Sequence, residues 1–131
     1  MSKDINFSGV SIYQGKSLIL TDVTFNIAHG EFVYLIGKTG TGKSSLLKTI
    51  YGDLPLRAGN AQVAGFDLEK MNWKTVPYLR RKLGIIFQDF QLLMDRSVDD
   101  NLEFVLRATG TNDKSLIKLK SDEALKRVGL Q

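Results

Sequence analysis

The stretch from Leu35 to Ile50, LIGKTGTGKSSLLKTI, places glycines at 37, 40 and 42, then a lysine and two serines. Before it runs FVYLI, Phe32 to Ile36. Five consecutive apolar residues predict a strand buried on both faces, as in a parallel sheet. After it, Leu46, Leu47 and Ile50 recur at helical spacing, with Gly52 and Pro55 to end the helix. A flexible loop therefore joins two ordered segments.

Residues 37 to 44 match G-x-x-x-x-G-K-[ST], the phosphate-binding P-loop. Gly37 lets the chain leave the strand sharply. Gly40 and Gly42 are suited to positive φ, which turns successive N–H groups toward a common centre. The helix that follows adds unpaired N-terminal donors and its dipole. Lys43 supplies a point charge for the β- and γ-phosphates, the Ser44 hydroxyl is placed to hold Mg²⁺, and Ser45 adds a phosphate contact. The candidate site is therefore Gly37, Lys38, Thr39, Gly40, Thr41, Gly42, Lys43, Ser44 and Ser45. The bland alternative is a glycine-rich turn with a solvated lysine.

Working outward, VSIYQG and VTFNIA alternate apolar and polar residues, which predicts two strands with turns at Gly15 and Gly30. Arg57 to Gly65 reads as a turn and a short strand. VPYLRRKLG reads as a helix from Pro77 to Gly84, and the apolar IIF, Ile85 to Phe87, as another buried strand. In SVDDNLEFVLRATG, Ser97 caps a helix whose Val98, Leu102, Val105 and Leu106 share a face. A basic helix from Leu116 to Val128 ends at Gly129.

The 131 residues are enough for one domain with a core. No run of 18 apolar residues occurs, the first ten residues lack a secretion signal, and there is no cysteine, so disulfides and thiolate metal sites are excluded. The cytoplasm is the expected compartment. The net charge of +4 fits a solvated surface. Arg80, Arg81 and Lys82 are the densest cluster, but no aromatic interleaving or nucleic-acid motif accompanies them, so no nucleic-acid partner is expected.

GIIFQD, Gly84 to Asp89, looks like a strand ending in a metal-binding aspartate, yet Gln88 interrupts it and no Glu follows Asp89. Gln88 is the better functional candidate. Its amide oxygen could reach a metal or its water and report occupancy through a mobile loop. The other reading is a surface glutamine after a strand. His29, the sole histidine, reads as a loop residue.

Leu18 to Leu68, LILTDVTFNIAHGEFVYLIGKTGTGKSSLLKTIYGDLPLRAGNAQVAGFDL, resembles the opening of the ATP-binding cassette (ABC) ATPases. Val76 to Leu102, and QLLMDRSVDDN above all, is similar to the branch that acts in bacterial cell division; lipoprotein-release and macrolide-export ATPases are the nearest alternatives. The resemblance covers essentially the whole chain. It implies an α/β P-loop NTPase of ABC type, with an antiparallel β subdomain and P-loop core over about 1–88. The Q-loop and the start of a helical subdomain would occupy about 89–131. ATP and Mg²⁺ are the implied cofactors. Lys43 and Gln88 would act in catalysis, with Ser44 and Gln88 on the metal. Tyr13 falls where the family stacks an aromatic on adenine, the alternative being a strand-surface tyrosine. The implied partners are an integral membrane protein, met by about Asp89 to Val98, and a second copy of the full-length ATPase. The implied location is the inner face of the cytoplasmic membrane. Phe90, Leu92, Leu93 and Met94 form an apolar patch suited to that contact, unless they close the local core.

The family's later motifs do not occur: there is no LSGGQ-type signature and no apolar run ending in Asp-Glu. Phosphoryl transfer to water needs a group that orients the water, and none is found. The expectation is the N-terminal part of a longer ATPase that binds nucleotide. Strands flanking FVYLI in the family would come from the remainder, so this stretch would expose edges and apolar surface.

Overall fold

The computed structural model describes residues 3–130. They form two compact units, one running to Gly84 and one starting at Ile85.

The first unit is built on a hairpin of β1 (Lys3–Gln14) and β2 (Ser17–Ala28). Gly15, at φ +62, opens the two-residue turn between them. β3 (Ala58–Val63) pairs with the other edge of β1, and β4 (Phe66–Asp67) pairs with β3. The sheet order is β2-β1-β3-β4 and every pairing is antiparallel. β1 begins well before the predicted VSIYQG, because Ile5 and Phe7 extend the inward-facing set.

β1 and β2 do not run in simple register. Between the pairs Phe7↔Phe25 and Val10↔Val23 the pairing shifts, beside Gly9 at φ +59. That shift lets Phe7 and Val10, three apart, both be fully buried. Gly59, at φ +88, packs directly onto this irregularity. A Cβ there would strike the Gly9 carbonyl and stand 2.7 Å from Val10 Cα. Only glycine allows so close a backbone approach.

α1 (Lys43–Ile50) lies on the sheet through Leu46, which joins Phe7, Val10, Ile12, Ala61, Val63, Leu68 and Leu79 in one core. Phe7 stacks on Phe25 at 4.9 Å between ring centroids. Burying a side chain of this size contributes about 1.5–3 kcal/mol. A 3₁₀ turn, Leu68–Lys70, delivers Leu68 to the core. The helix α2 (Val76–Arg80) delivers Leu79, with Pro77 in its first turn. It stops before Gly84: Lys82 N–H turns to the Leu79 carbonyl and Leu83 N–H to Arg80, tighter than an α-helix.

Two predicted strands do not form. Phe32–Ile36 has no strand assignment, and its side chains are exposed, Phe32 by 83% and Ile36 by 88%. Among the described residues no strand runs alongside to complete a ladder; the sheet consists of the four antiparallel strands alone. An apolar run states a preference for burial, but a strand also needs a hydrogen-bonding neighbour. Ile85–Phe87 is likewise outside any strand, with Ile86 95% exposed.

The second unit contains α3 (Val98–Ala108) and α4 (Lys114–Arg127), which pack on one another. Ser97 caps α3 as expected, its hydroxyl accepting from Asp100 N–H at 3.1 Å. Asp113 caps α4, accepting from Ser115 N–H and Leu116 N–H at 2.8 and 3.3 Å. The predicted apolar face of α3 is only partly covered. Leu102 and Leu106 are half-buried, whereas Val98 and Val105 are exposed. α4 places Ile117 and Ser121 in the interior and ends at Gly129, φ +77.

Candidate nucleotide-binding site

The glycine loop ends against β2. Gly42 is the N-cap of α1 at φ +98, and a Cβ on it would lie 2.9 Å from Leu20 Cγ and 3.0 Å from Ile19 Cγ2. In a regular strand, neighbours such as Ile19 and Leu20 face opposite ways. Here the register steps from Ile12↔Leu20 to Tyr13↔Leu18, so Ile19 has no residue opposite it. This bulge brings both side chains to the loop. Gly42 is thus required twice, by its dihedral angle and by the space it occupies.

Inside the loop, Thr41 N–H donates to the Lys38 carbonyl at 3.2 Å, and the Thr41 hydroxyl donates to the same oxygen at 2.6 Å. Gly40 sits at φ +85 with open space around its Cα. Gly37 has an ordinary φ, but a Cβ there would stand 2.7 Å from Thr41 Oγ1. Lys43 Nζ reaches back across the loop to donate to the Gly37 carbonyl. The lysine charge therefore stands at the loop's mouth, on the same side chain that begins α1.

The first turn of α1 is suited to an anion. No side chain caps it and it contains no acidic residue. Its N–H groups and the helix dipole, with the Lys43 ammonium beside them, favour negative charge. Ser44 is exposed at this end; Ser45 is only 8% exposed, and its carbonyl accepts from the Thr49 hydroxyl at 2.8 Å. Among the described residues no cluster of His, Cys, Asp or Glu could by itself cage a metal. A divalent cation here would need a hydroxyl such as that of Ser44 together with the ligand's own oxygens, the usual situation for Mg²⁺ with phosphates.

Tyr13 is near the same end of the sheet. It pairs with Leu18, directly beyond the bulge that holds Gly42. Its ring is half-exposed, and Arg57 lies over it, 5.6 Å from guanidinium to centroid. Tyr13 and Gly42 thus both lie against the Leu18–Leu20 stretch of β2, Tyr13 by pairing with Leu18 and Gly42 by packing on Ile19 and Leu20. Gln88 belongs to the second unit, where it is exposed and precedes an unusual turn. Phe90 and Gln91 follow at φ +62 and +53, with the Gln91 amide donating to Asp89 at 2.9 and 2.8 Å. Phe90, Leu92 and Met94 are exposed and Leu93 is half-buried, so this patch faces outward for the most part. His29 is in a turn, 3.2 Å from Asp4.

Two residues with a part in this arrangement carry no sequence signal. Arg57 reads as a turn residue, and its contact with Tyr13 bridges more than forty positions. Asn101 reads as one more polar helix residue, yet it fastens the segment before α3.

The model of the ABC transporter family matches residues 20–131. The cell division ATP-binding protein FtsE of Escherichia coli K12 is 42% identical over 127 residues, 96% of this chain and 57% of that protein. FtsE of Streptococcus pneumoniae D39 is 36% identical over 122 residues, 93% of this chain and 53% of that protein. This chain therefore spans a little over half the length of those relatives. Among solved structures, cbiO1 from Clostridium perfringens, part of the transporter complex cbiONQ, superposes with a TM-score of 0.83 at 26% identity, covering 100% of this chain and 52% of that one. The cassette MJ0796, in a dimeric post-hydrolysis state bound to ADP and Pi, gives 0.80 at 27% identity, covering 97% and 58%. With its glycine loop, antiparallel sheet and this extent of match, the chain belongs to the ABC transporter family of ATP-binding cassettes.

Proposed function

We propose that this chain provides the nucleotide seat of an FtsE-like ATPase that works in bacterial cell division with an FtsX-like integral membrane partner. One observation carries the reading: Lys43 Nζ reaches back over the glycine loop to the Gly37 carbonyl, beside an α1 N-terminus that no side chain caps and whose first turn has no acidic residue.

Residues Gly37 to Ser45 hold the triphosphate of ATP, Lys43 neutralising its far end. Tyr13 supports the adenine by stacking. Ser44 is the metal-holding hydroxyl, and Gln88 is assigned to the metal or its water. Mg²⁺, held there, would supply positive charge to the phosphate oxygens. Residues 1–88 are assigned to the β subdomain and P-loop core, and 89–131 to the Q-loop and the start of the helical subdomain. Asp89 to Val98, with Phe90 and Met94 outermost, is assigned to the membrane partner at the inner face of the cytoplasmic membrane. Dimerisation belongs to the full-length ATPase.

A second reading, nucleotide binding without turnover by this stretch alone, is favoured by its sequence, which includes no group placed to orient water. Titration with Mg-ATP tests the common part. Lys43→Ala should weaken binding by about 10- to 100-fold, the worth of a hydrogen bond to a charged group; unchanged affinity would reject the site. Phosphate release separates the two readings: binding without release supports the second, and release abolished by Lys43→Ala supports the first. Co-purification with an FtsX-like protein, lost on Phe90→Asp or Met94→Asp, tests the partner.

A further inference from the structure

Arg57 stands one residue before β3 and makes two contacts, both at the β1–β2 turn. Its guanidinium lies over the Tyr13 ring, 5.6 Å from the centroid, and its Nη1 donates to the Gly15 carbonyl at 2.6 Å. Among the described residues it has no carboxylate partner. An exposed arginine held this way is not spending its charge on an ion pair. Its flat, delocalised cation is matched to an aromatic face, which a lysine would fit less well.

The hydrogen bond to Gly15 matters as much as the ring contact. It fixes the guanidinium to backbone, so the cation cannot follow the ring if the ring turns. Tyr13 is thereby restrained from one side, while the β1 backbone restrains its root. A restrained ring loses less freedom when a second flat group stacks on it.

We propose that Arg57 is a positioning residue for the nucleobase: it occupies one face of Tyr13 and presents the other face to adenine. The proposal rests on the reading of Tyr13 and residues 37–45 as one nucleotide site. It assigns to Arg57 no contact with phosphate. Removing Arg57 should therefore weaken recognition of the base and leave the phosphate seat intact.

The test compares Mg-ATP with Mg-tripolyphosphate, which keeps the phosphates and lacks the base, on the chain and on Arg57→Ala, Arg57→Lys and Tyr13→Ala. The expected result is an ATP affinity lowered about three- to tenfold by Arg57→Ala, the scale of a cation–π contact. Tripolyphosphate affinity should be unchanged, and Arg57→Lys should restore part of the loss. Tyr13→Ala should lose roughly ten- to a hundredfold for ATP alone. Equal losses for both ligands in Arg57→Ala would overturn the proposal by showing a phosphate or folding role. No loss for either ligand overturns it too, and if Tyr13→Ala still loses ATP selectively, the nucleotide site itself stands. If Tyr13→Ala also leaves ATP affinity unchanged, the reading beneath the proposal fails with it.

Discussion

Asn101 grips Leu93 by both of its backbone groups. Leu93 N–H donates to Asn101 Oδ1 at 2.8 Å, and Asn101 Nδ2 donates back to the Leu93 carbonyl at 3.0 Å. The same Nδ2 reaches the Ser97 carbonyl at 2.9 Å. A carboxamide carries a donor and an acceptor on one plane, as a peptide group does, so Asn101 acts as a neighbouring strand would. It secures the outward-facing segment to α3 while leaving its apolar side chains exposed.

Asn101→Ala should destabilise the second unit by about 1–3 kcal/mol, because the partly buried Leu93 groups lose their partner. Asn101→Asp should not rescue it, since a carboxylate only accepts and would face two carbonyl oxygens. Amide hydrogen exchange at Leu93 is the direct measurement. Protection unchanged in both variants would contradict the anchoring role.

The loop glycines should differ in a defined order. Gly40→Ala meets open space and incurs only the left-handed backbone penalty, about 1–2 kcal/mol. Gly42→Ala incurs that penalty and also forces a methyl against Ile19 and Leu20, about 1–3 kcal/mol more. Denaturant melts of the two variants should place Gly42→Ala clearly lower; the reverse order would mean that Gly42 does not pack on β2.

Stability should decline at alkaline pH through Tyr51. Burial, then the Asp53 carboxylate, raise its phenol above the ordinary value, against the opposing pull of the Arg80 guanidinium. The folded state thus holds this proton more tightly than the unfolded chain does. The associated stability is complete below the unfolded phenol value of about 10 and is lost as pH rises through the folded value. Tyr51→Phe should flatten that part of the decline. Identical pH–stability curves for the two proteins above about pH 10 would rule the effect out.

The exposed run Phe32–Ile36 should make the chain self-associate. Ile36→Lys with Phe32→Ser should raise the monomer fraction in sedimentation experiments, without loss of the sheet's circular dichroism signal. A parent chain that is monomeric and melts reversibly would count against this.

The same run shows how far the sequence can be read. Residues 37–44 are legible because each position answers a separate need: a dihedral angle, a donor, a charge, a hydroxyl. Their conformation follows, with Gly40 and Gly42 at positive φ. The hairpin is legible from alternation and from Gly15. Phe32–Ile36 and Ile85–Phe87 are not, because hydrophobicity encodes a wish to be covered and says nothing about what does the covering. Tyr13 is singled out by resemblance alone, and no signal in the sequence sets Arg57 beside it: long-range contacts by exposed side chains leave no periodicity. Asn101 was equally silent, since a polar residue in the first turns of a helix is ordinary until its partners are seen.

Ile19 is one residue more than its hairpin requires. Were it deleted, β2 would pair more evenly with β1, and one of the two side chains that clasp Gly42 would swing to the far surface. The hairpin would survive and the clasp would be halved. Along this edge strand, then, length should matter more than identity: an exchange of one aliphatic letter for another should keep the clasp, whereas a shortening by a single letter should lose half of it.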